Sequence, residues 1–182
     1  MGGWQMIAPI YQFTPAELKK LLSSLVVIID TREQQNGHIV RYFDQKGIPH
    51  EAGKLDHCDY SAMIPAAPDI GVIRPLYFDV AIERKNSVDE LAASIKDRTR
   101  FESEFRRARG GRFVLMVEDA DGYEDIVRHR YRSRYNPKAL LASLKTFEAR
   151  YGFTTAFVKK ELAGNYIYYH LYYAVRNVLK SE

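Results

Sequence analysis

Cysteine is all but missing from this chain of 182 residues: Cys58 stands alone. A lone thiol excludes an internal disulfide and every multi-cysteine zinc site, and it reads as a small buried hydrophobe. Long apolar runs are missing too. The longest, "LVVIID" and "FVLMVED", meet an acid after five residues, far short of the ~20 that cross a bilayer. No membrane partner is expected. The start, "MGGWQMIAPIYQF", lacks the basic residues and the continuous apolar stretch of a secretory signal. With 11 Gly and 7 Pro the chain has no low-complexity tract, repeat or linker. What it does have, 46% hydrophobic and 27% charged residues, describes one folded domain over residues 1–182.

The net charge of +4 is unevenly placed. Residues 98–112 carry six arginines against two glutamates, and "RHRYRSR" (128–134) carries four arginines and no acid, so the remainder of the chain is acidic. Such clustering suits a phosphate-bearing partner, or else forms two solvated faces.

Periodicity places the elements. Thr14, Pro15 and Glu17 open a helix within an N-terminal extension (1–24). "LVVIID" is a strand buried on both faces. A helix closes on Gly47, and "IPHEAGKL" alternates like a second strand. "DYSAMIPAAPDIGVIRP", with three prolines, reads as an irregular hairpin or loop. "LYFDVAIERK" is a strand, Ser87 caps the helix after it with Glu90 three residues on, and another helix closes on Gly110 and Gly111. "RFVLMVED" and "FTTAFVKK" are strands. "GYEDIVRHRYRSRY" is a short helix breaking into a basic loop, and Asn136 and Pro137 open a helix that ends at Gly152. An aromatic helix (164–182) closes the chain, with Tyr166, Tyr169, Tyr173 and Arg176 along one stripe. The expectation is an α/β domain with a central sheet of about five strands flanked by helices.

Strand alternation puts Glu83 and Lys85 on one face of "AIERK" and Arg84 on the other. Alone, an E-x-K is commonly a surface ion pair. With further acids, Asp30 and Asp59, it has the layout of metal-assisted phosphodiester hydrolysis: carboxylates hold Mg²⁺ and lysine offsets charge on the phosphate. Asp89 near a helix start also has a plain use against the helix dipole. His50 and His57 lack clustered partners and read as surface and packing residues. Tyr131 and Tyr135, interleaved with Arg128, Arg130, Arg132 and Arg134, suit base stacking beside phosphate pairing, or a solvated loop.

"IIDTRE" (28–33), "CDY" (58–60), "ERKNSVD" (83–89) and "SIKDRTRFESEFRRARGGRFVLMVE" (94–118) together resemble the nuclease domain of the XPF family of structure-specific endonucleases. That family carries a G-D…E-R-K-x-x-x-D motif on a restriction-endonuclease-like core of the PD-(D/E)xK type. The resemblance implies a mixed-sheet α/β core with Asp59 and Glu83 as metal ligands, Asp30 in the same acidic cluster, Lys85 as the catalytic lysine, and Arg84 and Asp89 completing the catalytic motif. Arg84 is expected to touch phosphate or to brace the site through Asp89 or Glu33. Arg32 pairs with Glu33 in the motif; Arg32, Arg98, Arg100 and the arginines of 128–134 are the candidate DNA contacts. Cys58 departs from the usual glycine, and the spacing from Asp59 to Glu83 is long.

The resemblance implies an Mg²⁺-dependent endonuclease, Mn²⁺ substituting, that cuts branched, flap or junction DNA in repair or recombination. It also implies a homodimer, with the closing helix as candidate contact, and a helicase or DNA-binding subunit supplied in trans. The location would be cytoplasmic, nucleoid-associated in a prokaryote. A junction resolvase or another nuclease of the superfamily is the enzymatic alternative. A non-catalytic DNA-binding or scaffold subunit is the other.

Overall fold

The computed structural model describes residues 12–107 and 112–180. The start of the N-terminal extension and the helix stop expected at Gly110 and Gly111 lie outside the described residues.

Helix α1 (Pro15–Ser23) begins where the sequence signals it: Glu17 N–H donates to Thr14 Oγ1 at 3.3 Å and Thr14 N–H to Glu17 Oε2 at 2.8 Å. Such a capping box contributes about 1 kcal/mol. Strand β1 (Val26–Asp30) follows, then α2 (Gly37–Lys46), whose C-cap Gly47 takes the left-handed φ of 61°. Next come β2 (His50–Gly53) and β3 (Tyr60–Ile64). A two-residue β4 (Leu76–Tyr77) precedes β5 (Val80–Lys85). Helices α3 (Val88–Lys96) and α4 (Arg98–Arg107) lead to β6 (Arg112–Val117). The chain continues through α5 (Gly122–Arg128), α6 (Pro137–Tyr151), β7 (Thr154–Phe157) and α7 (Ala163–Lys180).

The strands form one mixed seven-stranded sheet of order β2-β1-β3-β5-β6-β7, with β4 on β3. Seven strands exceed the expected five chiefly because Tyr60–Ile64 is a regular, wholly buried strand and not a loop. Its prolines all fall after Ile64, so none breaks the ladder. Strand β3 runs antiparallel to β1 and to β5, while β5, β6 and β7 run parallel.

Two cores cover the sheet. On one face Val27, Ile29, Ala62, Ile64 and Ile82 pack against α1, α2 and α7, which contributes Ile167, Leu171, Val175 and Leu179 at every fourth position. Gly164 permits the approach of α7 to α2, since a Cβ there would come within 2.8 Å of the Tyr42 ring. On the other face Leu115 and Val117 pack against α3 to α6 through Leu91, Ile95, Phe101, Leu140, Leu144 and Phe147. Tyr169, Tyr173 and Val178 of α7 point outward. No helix among the described residues is long and apolar enough to cross a membrane.

Candidate active site

Strand β5 is buried at every position, charged ones included. Alternation sends Glu83 and Lys85 to the same face, where Lys85 Nζ donates to Glu83 Oε1 at 2.6 Å. Asp59 reaches them through the ladder: its N–H donates to Ile82 O at 3.0 Å, and Asp30 N–H donates to Asp59 O at 2.8 Å. The proline-bearing stretch leaves from the far end of β3, so it does not intervene between Asp59 and Glu83. The Asp59 carboxylate accepts one backbone N–H, from Arg84 at 2.8 Å. Burial, reinforced by Glu83, pushes the Asp59 carboxyl up to about 8. Two carboxylates and an ammonium therefore converge in a polar cleft of about 320 Å³ lined also by Arg32, Glu33, Glu90 and Arg100.

Arg84 turns the other way. Its Nε and Nη2 donate to both oxygens of Glu118 at 2.8 and 2.9 Å, and Nη1 donates to Glu33 at 3.1 Å. Glu118 Oε1 also lies 2.7 Å from His38 Nε2. Burial would raise Glu118, but the bonds from Arg84 and His38 outweigh it and hold its carboxyl below the ordinary range. Glu33 keeps the brace the sequence proposed; Asp89 does not share it. Glu118 was legible only as an acid closing a buried strand, the position Asp30 holds on β1, and nothing in the pattern marked His38.

Two of the expected catalytic carboxylates are engaged by other groups. The Asp30 carboxylate accepts Arg32 Nε at 2.6 Å, Arg32 Nη2 at 3.1 Å, Arg32 N–H at 2.9 Å and Leu55 N–H at 2.8 Å. Burial alone would raise it, yet these donors hold it low. Its lone pairs are taken, and no group of three or more His, Cys, Asp or Glu among the described residues is placed to hold a metal. Asp89 faces the basic loop, accepting the N–H groups of Arg132 and Ser133 at 2.8 and 2.9 Å and pairing with Arg132 Nε at 3.3 Å. It anchors that loop to α3 and does not line the cleft.

The expected phosphate contacts divide. Arg32 and Arg100 line the cleft. Arg98 pairs with Glu102 at 3.0 Å and lies over the Phe147 ring. Arg128 pairs with Glu124 at 2.7 Å, and Arg130 with Glu124 and Asp125. Arg132, 95% exposed, and Arg134 point to solvent. Tyr131 and Tyr135, half-buried, pack against the second core. His57 lines the cleft, while His50 packs on Phe43 with its Nδ1 2.9 Å from Ile48 O. Cys58 adopts φ 66°, the left-handed conformation in which glycine is at ease, so the turn into Asp59 keeps a glycine-like course. Burial pushes its thiol far up, and Sγ donates to Tyr60 O at 3.4 Å.

A family model described as the ERCC4 domain matches residues 29–170. The chain belongs to the ERCC4 domain family. The match spans Asp30, Asp59, the β5 tip and Glu118, and it supports the resemblance to an XPF-family nuclease domain. Among solved structures, this ERCC4 domain is similar to XPF from Aeropyrum pernix, with a TM-score of 0.56 and 19% sequence identity. The similarity covers 80% of this chain and 64% of that one, and it establishes the shared fold. No curated protein matches the chain.

Proposed function

We propose that this ERCC4 domain is a divalent-metal-dependent endonuclease that hydrolyses DNA phosphodiesters in branched, flap or junction substrates during repair or recombination. The observation that carries this reading is the convergence of Asp59, Glu83 and Lys85 in one polar cleft. The donor set fits Mg²⁺, which takes one or two carboxylates and retains several waters. Burial and the neighbouring Glu83 push the Asp59 carboxyl up to about 8, and a cation held between the two acids would favour its ionised form. Asp59 and Glu83 would hold Mg²⁺, or Mn²⁺ in its place; when bound, the ion supplies a water of lowered pKa and polarises the phosphate.

The chain's own groups do the rest. Arg84 N–H steadies the Asp59 carboxylate. Lys85, held by Glu83, stands beside the reacting phosphate and offsets the negative charge that builds there. Arg32 and Arg100 at the cleft meet the DNA backbone, and the exposed arginines of 128–134 extend that contact. The surface ion pairs of the 128–134 arginines contribute about 0–1 kcal/mol each, so phosphate oxygens can replace their carboxylates, and binding weakens steeply with salt. The products would carry 5′-phosphate and 3′-hydroxyl ends. A homodimer, and a helicase or DNA-binding subunit acting in trans, complete the proposal.

The test compares wild type with Lys85→Ala on linear, flap and four-way DNAs with and without Mg²⁺. Cleavage of structured DNA by wild type only, and only with metal, is expected. Equal cleavage by both proteins, or none by wild type with Mg²⁺ or Mn²⁺, would overturn it.

A further inference from the structure

Arg84 lies between two residues of the cleft yet sends its guanidinium away from them. That side chain is 4% exposed and Glu118 0%, a buried charge pair in which both Glu118 oxygens are engaged by Nε and Nη2. Such pairs survive burial only when geometry is good and the remaining lone pairs are satisfied. Here His38 Nε2, from the first turn of α2, meets Glu118 Oε1 at 2.7 Å and supplies the additional bond. Glu33, on the turn after β1, takes the third guanidinium nitrogen at 3.1 Å. The tips of β5 and β6 are further joined by Glu118 N–H donating to Lys85 O at 2.9 Å. The same Arg84 gives its backbone N–H to Asp59.

We infer that His38 and Glu118 are positioning residues for the cleavage site, acting through Arg84 to hold its backbone N–H against the Asp59 carboxylate and so set the spacing of Asp59 from Glu83. The chain runs from α2 through the tip of β6 to β5, and none of its outer members needs to touch DNA. Removing His38 leaves Glu118 short of a donor. Neutralising Glu118 leaves the buried guanidinium with Glu33 as its remaining anion in this chain, and the β5 tip loosens. Lysine could not replace Arg84, because its point charge lacks the planar fork that grips both oxygens.

The inference rests on the endonuclease reading, and two measurements separate their failures. In single-turnover cleavage of a flap DNA with Mg²⁺, Glu118→Gln is expected to lose about 10–100-fold in rate, the usual range for groups that orient a site's direct ligands. DNA affinity, read separately in Ca²⁺, should stay within about twofold, because neither side chain contacts phosphate. His38→Ala should lose less, His38→Gln should regain most of that loss by presenting an amide N–H near Nε2, and His38→Ala/Glu118→Gln should be little worse than Glu118→Gln alone. Unchanged rates, losses confined to DNA affinity, or fully additive losses would each overturn the inference.

The second measurement needs no activity. Because the Arg84 amide donates to the Asp59 carboxylate, its hydrogen exchange should quicken about tenfold in His38→Ala and return toward wild type in His38→Gln. A rate unchanged in His38→Ala overturns the chain. If wild type cuts nothing, the endonuclease reading fails, and this exchange rate still decides whether His38 and Glu118 position Arg84. Should Glu118→Gln not fold, the His38 pair carries both measurements.

Discussion

Asp30 and Asp59 sit side by side at the tips of antiparallel neighbours, joined by a backbone hydrogen bond, and their carboxyls are driven in opposite directions. Four donors surround Asp30: two guanidinium nitrogens and two backbone N–H groups. Asp59 receives a single backbone N–H and faces Glu83. Burial penalises both anions: at Asp59 desolvation and the neighbouring Glu83 prevail over one N–H donor, whereas at Asp30 the donors from Arg32 and Leu55 outweigh it. A carboxylate with every lone pair occupied has little room for a further ligand. One left short of donors beside a second acid has room for a cation.

The largest way to break this contrast is to neutralise each acid in turn. Asp59→Asn should abolish Mg²⁺-dependent cleavage, by about 10³-fold or more, since both charge and ligand are lost. It should leave the metal-free fold about as stable as wild type near neutral pH, because the carboxyl it replaces is already held protonated there. Asp30→Asn should do the reverse. Losing charge-assisted bonds inside the β1 turn costs about 1–3 kcal/mol, while measurable cleavage persists below the lowered melting temperature. Chemical denaturation with cleavage assays on the same preparations checks both. An Asp30→Asn protein of normal stability that cannot cut would return Asp30 to the metal site.

The contrast should also appear in pH dependence. The folded Asp59 carboxyl is raised to about 8 against an ordinary value near 4. The folded state therefore holds a proton the unfolded state has released, and this contribution to stability is full below about pH 4 and lost as pH climbs through about 8. Asp30, held low, has the opposite sign: its contribution is present above the ordinary carboxylate range and lost as pH falls through its depressed value. Melting temperature measured without metal should fall between about pH 5 and 8 in wild type and fall less in Asp59→Asn. Mg²⁺ at ten times its Kd should restore about 1.4 kcal/mol at the alkaline end, and nothing in Asp59→Asn. A wild-type curve that rises with pH, free of metal, would contradict the protonated Asp59.

Much of this was legible because local rules and the fold agree. Thr14 and Glu17, the Gly47 and Gly152 caps, and the two-fold alternation of β5 are short-range features, and each stands where the pattern puts it. The strand Tyr60–Ile64 was hidden by prolines that lie just outside it, and its pairing with β1 is a long-range fact that composition does not report. Asp30 and Asp89 have the residue type and spacing of ligands. The pattern did not show the donors that engage them, Leu55 and Arg32 in one case and Arg132 and Ser133 in the other. His38 was illegible because its partner lies on a strand eighty residues away in sequence.

The smallest expected effect concerns the turn that delivers Asp59. Cys58 holds φ 66° without being glycine, a conformation that costs an L-residue about 1–2 kcal/mol. Glycine removes that strain, but it gives back about 0.5–1 kcal/mol in chain entropy together with the burial of the thiol. Cys58→Gly should therefore stay within about 1 kcal/mol of wild type and cut DNA normally, since the turn already follows a glycine course. Cys58→Val, β-branched at positive φ, should lose about 1–3 kcal/mol and slow cleavage by displacing Asp59 from Arg84 N–H. Denaturant midpoints and cleavage rates of the two variants check this. Equal effects would mean that the turn's backbone is not what places Asp59, and the contrast with Asp30 would then rest on donors alone.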